Sequence, residues 1–158
     1  MKVLLVTTST NAVRTALEQI NCVELIVIEC TAKKSDTLDM IDRVCREAVP
    51  DILITYRCPY ILPLRLFCHT RLGSYNIHPS LLPKYPGLNP WREIFLNHEQ
   101  ECGVTLHRMT EQVDAGQIIC QSSFLIEESD TMESARLKSD KEASIIIKRF
   151  IKSVTAAT

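Results

Sequence analysis

The stretch SYNIHPSLLPKYPG (Ser74–Gly87) changes character at its midpoint. Its first part, with Gly73 before it and running to Ile77, reads as a strand. Pro79, Pro83 and Pro86 then stiffen the chain and remove backbone donors. Alternate residues of a strand face the same side, so Asn76 and His78 point together while Ile77 turns into the core. Pro79 biases His78 toward extended backbone, and Pro86-Gly87 suits the centre of a type II turn. One amide and one imidazole therefore share a rigid mount. These residues alone fit a histidine hydrogen-bonded at a loop entrance no less well than a catalytic one.

The flanking sequence places that strand in a sheet. Lys2–Val6, Val23–Glu29 and Asp51–Thr55 are short β-branched runs that read as buried strands. Between them lie two helical patterns. Val13, Ala16, Leu17 and Ile20 follow Asn11 as N-cap; Leu38, Ile41, Val44 and Ala48 follow Ser35 or Asp36 as cap and stop before Pro50. Strands alternating with helices predict crossover connections and a parallel sheet. Asn76 and His78 then lie at the carboxyl end of a parallel strand, where open α/β sheets bind ligands.

The pattern changes downstream. ILPLRLFC reads as a short helix. Asn89-Pro90 predicts a helix start with Trp91, Ile94, Phe95 and His98 on one face. GVTLHRM and QIICQSSFLI predict an antiparallel hairpin joined by TEQVDAG. Asp130 and Glu133 form a capping-box pattern, and Ala143, Ile146, Ile147, Phe150, Ile151 and Val154 stripe a long C-terminal helix. No linker or repeat interrupts the chain, so residues 1–158 are read as a single domain.

Composition narrows the function classes. The chain has 158 residues, 46% of them hydrophobic, and a net charge of −1. A domain of this size buries roughly 70% of its unfolded surface, enough for a core. The scattered Lys and Arg argue against nucleic acid as a partner. No apolar run reaches the roughly 20 residues that span a membrane. Seven cysteines without a C-x-x-C spacing read as reduced, buried thiols in a cytoplasmic protein.

Asp114, in VDAG between the two hairpin strands, supplies a carboxylate. Asp-x-Gly is an ordinary turn; beside an imidazole and an amide it completes an acid/base set. The chain lacks G-x-S-x-G, G-x-G-x-x-G and G-x-x-x-x-G-K. His69, His98 and His107 have no metal-ligand spacing, so no metal is expected.

YNIHPSLLPKYPG followed by GVTLHRMTEQVDAGQII resembles the 10-formyltetrahydrofolate-dependent formyltransferase family, from about Asp51 to Ile126. The resemblance implies a Rossmann-like formyltransferase core. It carries the family's catalytic Asn, His and Asp onto Asn76, His78 and Asp114. TYRCPYILP resembles the loop whose backbone holds the pterin, which makes Tyr56, Arg57, Cys58, Pro59, Tyr60, Ile61 and Leu62 candidate folate contacts. The implied reaction moves a formyl group from 10-formyltetrahydrofolate to a small-molecule primary amine, without a metal. The implied acceptor is an amino sugar nucleotide or glycinamide ribonucleotide; GLNPW resembles the amino-sugar branch, and LLPKYPG is shared with the purine branch.

Two departures stand out. The N-terminal half is shorter than the family pattern by about one βα unit. The loop that receives substrate phosphate in the purine branch is here TTSTN (Thr7–Asn11), without glycine. Ser9, Thr10 and Asn11 can still donate to a phosphate at a helix N-terminus, but the approach is less close. The alternative reading is a catalytically impaired folate-binding module of the same family. A homodimer is left open.

Overall fold

A computed structural model describes residues 1–8 and 11–157. Among these, six strands form one sheet in the order β2-β1-β3-β4-β5-β6. The first four are β1 (Lys2–Thr7), β2 (Glu24–Glu29), β3 (Ile52–Tyr56) and β4 (Gly73–His78), all parallel. β5 (Glu101–Arg108) runs antiparallel to β4, and β6 (Ile118–Leu125) antiparallel to β5. The sheet is thus mostly parallel with a C-terminal antiparallel hairpin, as the sequence predicts. The order reverses at β1, so only β2 lies outside it on the N-terminal side, which is the shortened half.

Each sheet face has its own apolar layer. Val3, Leu5, Ile54 and Ile77 meet α1 (Ala12–Glu18) and α4 (Met132–Ala156) on one side. Leu4, Val6 and Leu53 meet α2 (Lys34–Ala48) and the 3-10 turn Leu64–Leu66 on the other. Covering both faces is what makes these strands continuous apolar runs. A smaller cluster joins α3 (Pro90–Leu96) to α4 through Trp91, Ile94 and Ala135. The striped residues of α4 from Ala143 to Ile151 are buried, with Val154 at their margin.

Several local expectations shift. The cap of α2 is Lys33, whose side chain makes no capping bond, so Ser35 and Asp36 fall inside the first turn. The capping box of α4 pairs Thr131 with Ser134, one residue later than the Asp130–Glu133 pattern. Asp130 instead accepts from the Glu127 N–H, Ser134 Oγ and Lys138 Nζ. Both registers contain good capping residues, and Thr131 wins because Asp130 is better used against Lys138. ILPLRLFC yields only the 3-10 turn, which starts after Pro63 in extended backbone. His98 lies beyond α3, exposed and at positive φ. Of the cysteines only Cys102 is fully buried; Cys22 and Cys68 are exposed, because they lie in connections rather than strands.

The proline-rich loop 79–87 is pinned to the hairpin. Thr105 Oγ1 donates to the Ser80 carbonyl at 2.7 Å and accepts from the Leu82 N–H at 3.1 Å. Gln121 Nε2 donates to the Leu82 carbonyl at 2.9 Å. Gly103 permits this contact: a Cβ there would stand 2.3 Å from the Ser122 carbonyl oxygen and 2.5 Å from Leu81 Cδ2. Gly103→Ala should therefore destabilise the fold by about 1–3 kcal/mol, the usual cost of overpacking. Thermal unfolding checks this; an unchanged melting temperature would mean that the loop and hairpin are not held this tightly.

Candidate active site

The carboxyl ends of β3 and β4 open into a cavity of about 520 Å³. Asn76, His78 and Asp114 all line it, and so do Tyr56 to Leu62. The period of two on β4 puts Asn76 and His78 on the α2 face, with Ile77 in the opposite layer. Pairing register adds a group that spacing did not suggest. His107 on β5 lies directly across from Asn76, and Thr55 on β3 lies on its other side.

These side chains orient one another. Thr55 Oγ1 donates to Asn76 Oδ1 at 2.7 Å, which turns Asn76 Nδ2 toward the cavity. That nitrogen lies 3.1 Å from His107 Nε2 and 3.4 Å from Asp114 Oδ1. His107 Nδ1 donates to the Arg108 carbonyl at 2.9 Å. Its Nε2, 3.3 Å from Asp114 Oδ1, can accept from Asn76 when neutral and donate to Asp114 when protonated. His78 Nε2 faces the Tyr85 carbonyl at 2.7 Å and so carries a proton. Its Nδ1 lies 3.5 Å from Asp114 Oδ2.

Asp114 occupies the left-handed region at φ 54° and accepts the Gly87 N–H at 2.8 Å. Its side chain is 7% exposed. Burial alone would raise its pKa, but bonding from His107 and from the Gly87 N–H, with the nearby imidazoles, holds it below the ordinary carboxylate value. It is therefore ionised at neutral pH. Burial pulls the His78 pKa down, and the Tyr85 carbonyl and Asp114 only partly oppose this. The free site thus holds a neutral His78 beside a carboxylate at pH 7.

The segment from Tyr56 to Leu62 is built unevenly. Tyr56 is buried, with its hydroxyl on Asp140 of α4, and burial and that carboxylate push its pKa up. Arg57 stands at φ 54° and pairs with Asp140 at 3.4 Å. Cys58 Sγ lies 3.7 Å from Cys30 Sγ, a contact that lowers the Cys58 pKa. Tyr60 donates from its hydroxyl to the Thr31 carbonyl at 2.6 Å. Ile61 is exposed, and Leu62 packs into the α2-side layer.

The N-terminal candidates fare differently. Ser9 and Thr10 lie outside the described residues. Asn11 caps α1: Oδ1 accepts from the Val13 and Arg14 N–H groups, and Nδ2 donates to Thr7 Oγ1 at 2.7 Å. It does not line the cavity, whereas Thr8 does. Residues that sequence reasoning passed over are His107, Thr55, and Arg136, Ser139 and Asp140 on α4. The alternation of GVTLHRM could have flagged His107, once β5 was set beside β4. Among the described residues no cluster of His, Cys, Asp or Glu could hold a metal ion, and no helix is long and apolar enough to cross a membrane.

Burial makes His78 a pH-dependent element of stability. As pH falls through the ordinary histidine value near 6.5, the unfolded chain takes up a proton that folded His78 resists. Stability then falls with pH until the lower folded pKa is passed. The Asp114 contribution is present above the ordinary carboxylate value and is lost only at more acid pH, through its lowered pKa. Melting temperatures of wild type and His78→Gln between pH 7 and 5 should diverge, the wild type losing more. Parallel curves would show that His78 titrates as an exposed histidine does.

Comparison with known proteins gives concordant matches. The family model described as "Formyl transferase" matches residues 2–151. The chain is 46% identical over 85 residues to the bifunctional polymyxin resistance protein ArnA of Wigglesworthia glossinidia brevipalpis, covering 54% of this chain and 13% of that protein. It is 39% identical over 88 residues to methionyl-tRNA formyltransferase of Thermotoga maritima, covering 56% of this chain and 28% of that protein. The chain thus spans only a minor part of these relatives. Among solved structures, phosphoribosylglycinamide formyltransferase from Anaplasma phagocytophilum superimposes with a TM-score of 0.82 at 22% identity, over 99% of this chain and 87% of that one.

Proposed function

The chain belongs to the formyl transferase family, and from that premise we propose that it transfers a formyl group from 10-formyltetrahydrofolate to a small-molecule primary amine. The observation that carries the reading is the convergence of Asn76, His78 and Asp114 on one cavity. Pro59, Ile61, Leu62, Met109 and Val113 are among its apolar lining residues, and the volume of about 520 Å³ lies within the range of small-molecule sites. These residues fit a flat heteroaromatic ring, and Tyr56 to Leu62 would hold it.

When bound, the folate supplies an activated formyl carbon and a nitrogen leaving group. Asn76, fixed by Thr55, aims a donor at the position of the formyl oxygen as that oxygen gains charge. Its contact with Asp114 is the longer of its two, so that proton is the freer one. One oxyanion donor is commonly worth about 3–4 kcal/mol in a transition state. Asp114, ionised and held by Gly87, accepts the proton that the attacking amine sheds, directly or through water, and a proton would be returned to the folate nitrogen so that it departs neutral as its bond to the formyl carbon breaks. His78 Nδ1, neutral and next to Asp114, can take up a proton and then support the negative oxygen. Gly87 and Tyr85 fix the other side of this pair, so the proline-rich loop sets the geometry of both groups.

The acceptor reading follows the N-terminal loop. Asn11 is committed to capping α1 and to Thr7, and Thr7–Asn11 has no glycine. An amino sugar nucleotide is therefore the preferred acceptor and glycinamide ribonucleotide the poorer one.

Isothermal calorimetry with a stable folate analogue should show saturable binding, and kcat/KM should favour the sugar-linked amine. His78→Ala should lower kcat about a hundredfold or more while still binding the analogue. Binding without any transfer to either amine would favour the impaired folate-binding module, and no binding at millimolar analogue would remove the folate reading altogether.

A further inference from the structure

Thr7, the last residue of β1, pairs with Glu29 of β2 on one side and with Tyr56 of β3 on the other. Both neighbouring strands therefore end level with it, roughly 10 Å apart across β1. Cys30 follows β2 directly, and its N–H donates to the Thr7 carbonyl at 2.7 Å. Cys58 stands just beyond the end of β3. Their side chains close the gap over the end of β1, with Sγ 3.7 Å from Sγ. Both are half-buried and pack on the α2-side layer. The sulfurs of Cys45 and Cys102 face backbone carbonyls instead, those of Leu66 and Pro79. Small apolar packing accounts for buried thiols as such. It does not account for one of them lining the cavity, in a segment whose Tyr60 hydroxyl already ties it to the Thr31 carbonyl, next to Cys30.

We propose that Cys30 and Cys58 are a peroxide-sensitive thiol–disulfide pair that controls the segment Tyr56–Leu62 and so the cavity's hold on its folate. The Cys30 S–H donates to Cys58 Sγ and holds the Cys58 thiol below its ordinary value against the opposing effect of burial, with Lys34 adding to this. The same contact pushes the Cys30 thiol up. Cys58 is thus the thiolate that reacts first and Cys30 the thiol that follows. The Cys58 thiolate attacks one oxygen of hydrogen peroxide and the O–O bond breaks. Cys58 becomes a sulfenic acid, and the hydroxide released takes up the proton that Cys58 had lost. Cys30 Sγ then attacks the Cys58 sulfur, the S–O bond breaks, and the departing hydroxide leaves as a second water with the Cys30 proton. Two thiols lose two electrons in all, and one peroxide is reduced to two waters. Bonding draws the sulfurs closer than their present contact, and Cys58 has little slack between Arg57 at φ 54° and the fixed ring of Pro59. The movement therefore passes to the lining residues from Pro59 to Leu62. The inference rests on the formyl-transfer reading for the identity of the ligand, and not for the thiol chemistry.

The reduced full chain, treated with equimolar hydrogen peroxide and digested without reductant, is read by mass spectrometry. Peptides linked through Cys30 and Cys58, two hydrogens lighter than their reduced parts, should dominate, and dithiothreitol should separate them. Calorimetry with 5-formyltetrahydrofolate, a stable reduced folate, should show about fivefold weaker affinity for the oxidised chain, the equivalent of one lost hydrogen bond. Reduction should restore it. Cys30→Ala and Cys30→Val, the second keeping the apolar volume, should bind this folate as reduced wild type does. Under peroxide they should form no linked pair and accumulate a Cys58 sulfenic acid that dimedone traps. Cross-links confined to the exposed Cys22 and Cys68, or equal dimedone trapping of Cys58 in wild type and Cys30→Ala, would overturn the pair. A linked pair with unchanged folate affinity would overturn its control of the cavity. Reduced wild type that binds no folate would count against the formyl-transfer reading and against control of that ligand, while the linked peptides would still decide the thiol chemistry.

Discussion

The carboxylate of Asp114 is the contact on which the site depends. It accepts the Gly87 N–H at 2.8 Å, and that single bond joins the hairpin loop to the proline-rich loop after β4. The same carboxylate faces both His78 and His107. Moving it would uncouple two imidazoles, an amide and a loop together. Its environment also sets its charge: donors on several sides keep it ionised despite burial, so the site holds a base at neutral pH. The position is demanding, since Asp114 takes a left-handed backbone and Gly116 nearby has no room for a side chain, a Cβ there lying 1.8 Å from the Arg108 carbonyl oxygen.

The sheet explains why such a contact can be rigid. Strands covered on both faces give β4 no freedom to slide, and β5 locks it from the other edge through Asn76↔His107 and His78↔Thr105. Thr105 then anchors the loop that carries Tyr85 and Gly87. Apolar packing, register and loop anchoring thus act on the same four side chains. The cavity draws on both layers: Cys58 and Leu62 belong to the one beside α2, and α4 to the one beside α1.

Much of this was legible because it is periodic. β-branched runs marked β1 to β3, the short segment before the prolines marked β4, alternation marked the hairpin, and the stripe from Ala143 to Ile151 marked α4. The side-by-side placement of Asn76 and His78 follows from a strand's period of two. What periodicity cannot reveal is register. His107 meets Asn76 only because β5 pairs with β4 in one particular alignment, and an irregularity in the β5–β6 register between Leu106 and His107 further hides it. Asp114 was marked by its place between the two hairpin strands, but its turn looks ordinary, and only the resemblance gave it a catalytic part. Arg136, Ser139 and Asp140 were invisible because their place at the cavity depends on where the first turns of α4 fall against Tyr56 and Trp91. The caps of α2 and α4 were misplaced where several capping residues stand close together and competing contacts choose among them.

Transfer of a labelled formyl carbon tests the central claim most directly. Wild type and Asp114→Asn would each be mixed with [13C]formyl-10-formyltetrahydrofolate and an amino sugar nucleotide or glycinamide ribonucleotide, and the carbon followed by NMR in a single turnover. Asn keeps the shape of Asp114 but cannot accept the amine proton. The account predicts that the label moves to the amine on the wild-type protein and stays on the folate with Asp114→Asn, at least a hundredfold slower, although both proteins bind the folate. Transfer by Asp114→Asn at the wild-type rate would contradict it.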